Sequence, residues 1–169
     1  MSISIYDQLI VPARHGLANL DNMLKIAEKH AGENDIDTAL LVQARLHLSM
    51  LPLVFQVRIA TDIVKGAAAR LTGSAIPSWA DDEESMDDLH ARIGKALAYL
   101  GTFKPDQFDG SEKRRVELRL RQQEVSFKGT DYITRFVIPN FYFHLTTAYA
   151  ILRNKGVPLG KADFLGDIL

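Results

Sequence analysis

The sequence predicts an all-α fold, an antiparallel four-helix bundle with a short additional helix and a small β-hairpin before the last core helix. Three observations carry this. Four long segments repeat apolar residues at steps of three and four, which is the period of a helix face. Gly, Pro and capping residues separate them by short connections. One stretch alone changes to a period of two, and it is long enough only for a hairpin. At 169 residues the chain reads as a single domain, 1–169, of a size that buries most of its apolar surface.

Residues 3–31 form the first helix, with Leu9, Ala13, Leu17, Leu20, Leu24 and Ala27 on one face. Pro12 removes an amide from it and predicts a kink or irregular first turns; Gly32 is the expected stop. A short element follows at Thr38–Val42. Pro52 fits the first turn of a new helix, so a break is expected near His47–Ser49 with Ser49 as N-cap. The second long helix carries the near-heptad seam Leu53, Val57, Ala60, Val64, Ala67 and Leu71, and Thr72-Gly73 ends it. The acids of the 74–84 loop read as solvated surface. Ser85 and Asp88 form a capping box, and Met86, Leu89, Ile93, Ala96 and Leu100 line the third long helix up to Gly101.

From 114 to 128 the pattern alternates. Val116, Leu118 and Leu120 interleave with Glu117, Arg119 and Arg121, then Val125 and Phe127 with Ser126 and Lys128, with a turn at Gln122-Gln123. The basic run Lys113–Arg115 is the charged edge of that hairpin. The last long helix starts near Thr130 and ends near Asn154, with Ile133, Val137, Asn140, His144, Ala148 and Ile151 on one face and a kink predicted at Pro139. Gly156 and Pro158 stop it. The tail holds Phe164, Leu165, Ile168 and Leu169 and is expected to pack back on the bundle.

Composition excludes several classes. With a net charge of −1, no overall basic field draws the chain to nucleic acid or anionic lipid. The absence of cysteine removes disulfides, thiolate metal sites and cysteine nucleophiles, and suits a cytoplasmic location. The N-terminal segment lacks the basic leader of a signal peptide. No apolar run approaches the roughly 20 residues that span a bilayer. There is no Gly-rich phosphate loop, no defensible Ser–His–Asp order and no H-E-x-x-H.

The pair Asn140-x-x-x-His144 is the leading candidate for chemistry. Residues four apart stack on one helix face and can share a metal or a substrate. A buried imidazole needs partners, and Gln56 or Tyr149 could supply one from across the bundle or along the helix. Against a metal, Asn is a poor transition-metal ligand, and no other histidine has a matching spacing. His15 and His90 fall on polar sides of their helices, His30 in a last turn, and His47 in the broken segment. Asp62 is four residues from Arg58, a surface pair of little weight.

The stretch PNFYFHLTTAYAILRNKGVPLG, Pro139–Gly160, resembles the last core helix of the DinB-like superfamily, with its Leu-Arg-x-x-Gly-Val-Pro stop. More narrowly, Ala44–Gly73 and Asn140–Gly166 resemble an uncharacterised branch of it, a domain of unknown function. The resemblance implies a four-helix bundle, often a homodimer. It also implies a divalent-metal site, zinc or nickel, with one histidine on the second helix and two on the last, used in some members for thiol-dependent transfer or isomerisation. Here His144 matches the second histidine of the last helix, Asn140 stands where the first would be, and Gln56 stands about where the remaining one belongs. The expectation is a buried polar cluster of Gln56, Asn140 and His144 at the position of that metal centre, with a small-molecule pocket to which Tyr149 contributes. The competing expectations are a divalent-metal-dependent hydrolase or thiol-dependent transferase with His144 as ligand, and a non-catalytic dimeric binding or stress-response scaffold.

Overall fold

Each helix of the bundle begins and ends where local chemistry directs it. The computed structural model describes residues 3–120 and 122–167, with the side chain of Leu120 also outside the description. Helix α1 spans Ile5–Glu33, with the Ser4 hydroxyl accepting from the Asp7 amide at 3.1 Å. It continues through Pro12 without interruption. It passes the expected stop at Gly32 and ends instead at Asn34, whose side chain donates to the His30 carbonyl at 2.8 Å, with Asp35 at a positive φ of 53°. Helix α2 covers Thr38–Val42 and is capped by Asp37 on the Ala39 amide. Helix α3 covers Leu53–Thr72 and closes on Gly73 in the left-handed conformation, φ 76°. Helix α4, Met86–Leu100, has the full Ser85/Asp88 capping box.

Ser49 does not cap α3. Its hydroxyl lies 2.9 Å from His47 Nδ1, and Pro52 occupies the N-cap position with no side-chain bond. The loop between α2 and α3 is closed instead by the Leu53 amide on the Ala44 carbonyl at 2.9 Å and by Arg45 on the Met50 carbonyl at 2.6 Å.

Strands β1 (Arg115–Leu120) and β2 (Gln123–Lys128) pair antiparallel, Arg115 opposite Lys128 through Leu120 opposite Gln123. Gln122 lies in the turn as expected, but Gln123 already opens β2, and Arg121 lies outside the described residues. Val116 and Leu118 are buried, and the charged residues between them are exposed. The last long helix is composite: α5 (Gly129–Tyr132), a π-helical turn (Ile133–Val137) and α6 (Ile138–Asn154). The irregularity expected at Pro139 lies just upstream. A proline ring crowds the carbonyl four residues back and offers it no amide, and the wider π turn lies over that position. The face rotates accordingly. Phe141 and Leu145 join Val137, His144 and Ala148 in the core, while Asn140 is only half-buried. Helix α7, Lys161–Leu165, returns to α1, where His15 Nε2 bonds the Leu165 carbonyl at 2.6 Å and Asn19 the Phe164 carbonyl at 3.1 Å. Residues 168 and 169, also expected to pack there, lie outside the described residues.

The core is the common interior of α1, α3, α4 and α6. The predicted apolar seams of α1, α3 and α4 are buried at every named position. Among the described residues, no helix is long and apolar enough to cross a membrane.

Two polar links cross this core boundary, and the first does not follow the expected Arg58–Asp62 pairing. Arg58 bonds Glu83 rather than Asp62. Asp62 accepts from Lys65 at 2.5 Å and from Arg92 at 2.9 Å. The acids of the 74–84 loop are thus not all solvated, since Glu83 is buried between Arg58 and Arg92. On the opposite side His90 of α4 joins Asp21 at 2.5 Å and Glu28 at 2.9 Å, both on α1, so each ring nitrogen faces a carboxylate. Burial alone lowers the affinity of His90 for its proton, but the two carboxylates together outweigh it and raise the pKa above the ordinary 6.5. A histidine raised on folding contributes stability that is complete below its unfolded pKa and is lost as pH rises through the folded one. His90→Gln is therefore expected to lower stability by about 1–2 kcal/mol near pH 6, with the deficit shrinking in more alkaline buffer. Urea denaturation of both proteins across that range measures it.

Candidate functional site

Gln56 sits in the first turn of α3, and His144 lies midway along α6. The two helices run antiparallel, so these positions face each other, and both side chains are buried, 2% and 8% exposed. The Gln56 amide is oriented by the chain before it: Nε2 donates to the Leu51 carbonyl at 2.8 Å. That leaves Oε1 as an acceptor, 2.8 Å from His144 Nδ1. An acceptor there places the neutral ring's proton on Nδ1 and the lone pair on Nε2. Among the described residues, Nε2 has no hydrogen-bond partner, and yet no buried side-chain nitrogen or oxygen is left unsatisfied. Nε2 is therefore not sealed from solvent. Burial lowers the His144 pKa, holding the ring neutral. This contribution to stability is present above the ordinary 6.5 and fades as pH falls, opposite in sign to that of His90.

The surroundings are apolar and open. Phe143 stands perpendicular to the His144 ring at 5.2 Å and is 56% exposed. Leu51 and Phe55, which both precede Gln56 in sequence, are 44% and 38% exposed. Leu46 and Leu48 of the same loop are exposed too, Leu48 by 92%.

Of the four candidate residues, the structure joins two. Asn140 lies one helical turn before His144, half-buried, and no side-chain hydrogen bond links it to either partner among the described residues. The Tyr149 ring packs edge-on against Phe164 of α7 at 5.9 Å, and among the described residues no hydrogen bond joins it to His144 or Gln56. The other histidines are spread over the molecule: His15 under α7, His30 beside Asn34, His47 in the α2–α3 loop and His90 in the α1–α4 clamp.

This donor set does not fit the three-histidine centre that the DinB resemblance implies. It offers one imidazole lone pair. Both ends of the Gln56 amide are engaged by protein groups, and the Asn140 amide is a weak donor to zinc or nickel. Among the described residues no group of three or more His, Asp or Glu side chains is arranged to hold a metal.

Sequence reasoning missed the ion-pair centre around Arg92. The available signal was its position: Arg92 falls between Leu89 and Ala96 on the apolar face of α4, and a guanidinium there must find carboxylates.

The bundle and its hairpin are those of a DinB-like helical protein. The crystal structure of a DinB family member protein from Shewanella denitrificans superimposes with a TM-score of 0.91 at 36% sequence identity, covering 96% of this chain and 92% of that one. The family model described as a domain of unknown function (DUF1993) matches residues 5–165, and the chain belongs to this family. No curated protein matches it.

The Gln56–His144 bond has a measurable signature. Gln56→Leu leaves Nδ1–H without a partner in a buried setting and is expected to cost about 1–3 kcal/mol. His144→Leu strands the Gln56 carbonyl at similar cost. The double variant is expected to be less destabilised than the sum of the two, with a coupling of about 1 kcal/mol in a denaturation double-mutant cycle. Asn140→Ala is expected to stay within about 0.5 kcal/mol of the parent.

Proposed function

We propose that this chain is a small-molecule-binding bundle whose recognition site is the His144–Gln56 pair, at the position where metal-binding members of the superfamily carry their ions. The observation that supports it is the state of His144. Gln56 occupies Nδ1, and the free Nε2 lone pair meets solvent inside an apolar rim. Such a nitrogen accepts a hydrogen bond from a hydroxyl, amide or amine, and Leu51, Phe55 and Phe143 offer contact to an apolar group beside it. Asn140, one turn away, is a second polar contact. No bond-making step is assigned to the site.

The same exposed residues support a second element of the reading, that the protein is a homodimer. Leu46, Leu48, Leu51 and Phe55, in the α2–α3 loop and the first turn of α3, and Phe143 beside His144 expose apolar side chains, and exposed apolar surface is commonly covered by a second copy. That copy would also wall the His144 site.

Metal analysis of protein purified without a histidine tag tests the first element. Substoichiometric metal, unchanged in His144→Ala, is expected. Stoichiometric zinc or nickel that is lost in His144→Ala would favour a metal-dependent hydrolase or transferase instead. For the second, sedimentation at micromolar concentration is expected to give a dimer that Leu48→Ser with Phe143→Ser dissociates. A monomeric parent would rule the dimer out.

A further inference from the structure

A groove of about 390 Å³ runs along the face of α3 between the hairpin and the π-helical turn, from Ile59, one turn beyond Gln56, to Arg70. Ligand sites begin at about this size. Its apolar surface comes from Ile59, Ile63, Leu118 and Phe136. Phe136 is stacked on Tyr132 at 5.8 Å with an interplanar angle of 14°. Both aromatics are held by the π turn and its approach, a distortion that recurs at functional sites.

The charges in the groove are unequally satisfied. Asp62 is occupied by Arg92 at 2.9 Å and Lys65 at 2.5 Å, and Glu117 by Arg115 at 3.2 Å. The two arginines are not matched in this way. Arg70 reaches only the Tyr132 hydroxyl, at a long 3.3 Å. Arg119 stands opposite Glu124 in the strand register, yet among the described residues it makes no ion pair, and neither does Arg70. The absent side chain of Gly66 is what lets the Arg70 guanidinium lie back against α3, since a Cβ there would meet Nη1. Two guanidiniums without carboxylates, over a half-buried apolar floor, match a ligand with an anionic head and an apolar body.

We propose that this groove binds a small amphipathic carboxylate, its carboxyl group on Arg70 and Arg119 and its body on Ile59, Ile63 and Phe136. The guanidinium forks supply direction to a planar carboxylate, and the aromatic and aliphatic surface discriminates against short, fully hydrated acids. The site does not rest on the His144 reading.

Titration of ¹⁵N-labelled protein with 2-naphthoate, and in parallel with the neutral 2-naphthamide, tests this by amide chemical shifts. Saturable shifts are expected at residues 59–70, 117–119 and 132–136, with the acid bound about tenfold more tightly than the amide. Arg70→Met and Arg119→Gln are each expected to weaken the acid and leave the amide unchanged. Arg119 is exposed, so its variant keeps the parent's thermal stability and decides the matter if Arg70→Met unfolds. Equal affinity for acid and amide, no saturable shift, or shifts centred on His144 and Asn140 would overturn the proposal, and the last would instead favour the site on α6.

Discussion

Most of the molecule's geometry depends on the burial of one guanidinium. Arg92 lies 4% exposed on the inner face of α4. Placing such a charge out of water costs several kcal/mol unless every donor is met. Here each of its three nitrogens is met, from α3 and from the loop that follows it. Nε donates to Thr61 at 3.1 Å and Nη2 to Asp62 at 2.9 Å, both on α3. Nη1 reaches the Ala80 carbonyl at 2.7 Å, Glu83 at 2.7 Å and Asp81 at 3.2 Å in the connecting loop. Trp79 covers the group from its side, with Lys65 and Lys95 also over the ring. The loop between α3 and α4 thereby becomes a fixed strap. The rotation of α3 about its axis is set as well, and α3 presents Gln56 at one end and Arg70 at the other.

That rotation explains why two quite different environments share one helix pair. Toward the start of α3 the partner on α6 is a histidine, and the pair is closed by a neutral hydrogen bond. Toward its end the partner is an aromatic stack under a hairpin, with arginine as the polar group. The first environment offers one imidazole lone pair, with both ends of its amide already engaged by protein groups.

Much of this was readable from residue order. The apolar faces of α1, α3 and α4, the Ser85 capping box, the Gly73 stop, the Thr38–Val42 helix and the hairpin are all local patterns, and each is stabilised by neighbours within one or two turns. The Gln56–His144 bond was legible as one of two options, since a buried imidazole needs a partner and either Gln56 across the bundle or Tyr149 along the helix could supply it. What escaped was the choice among distant partners. Arg58 has an acid four residues along in Asp62 but bonds Glu83, 25 residues away, because Arg92 and Lys65 already hold Asp62. Ser49 was available as a cap, but His47 lies closer and takes its hydroxyl. His90 reads as a surface residue because the acids that embrace it are on α1. Asn140 shares the four-residue spacing of His144, yet a change of pitch upstream shifts which positions face the core.

That change of pitch has a consequence for how the family could vary. A π turn holds one residue more than the α-helical turn it replaces, so it works as an insertion absorbed within a helix. Upstream and downstream segments are consequently out of phase by about 100°. Deleting a single residue between Ile133 and Val137 would restore a regular helix and swing one half against the other. Tyr132 and Phe136 could then keep their place under the hairpin, or His144 could keep its place opposite Gln56, but not both. The last helix is thus two address labels joined by a spacer, and the spacer's length is what permits both to be read.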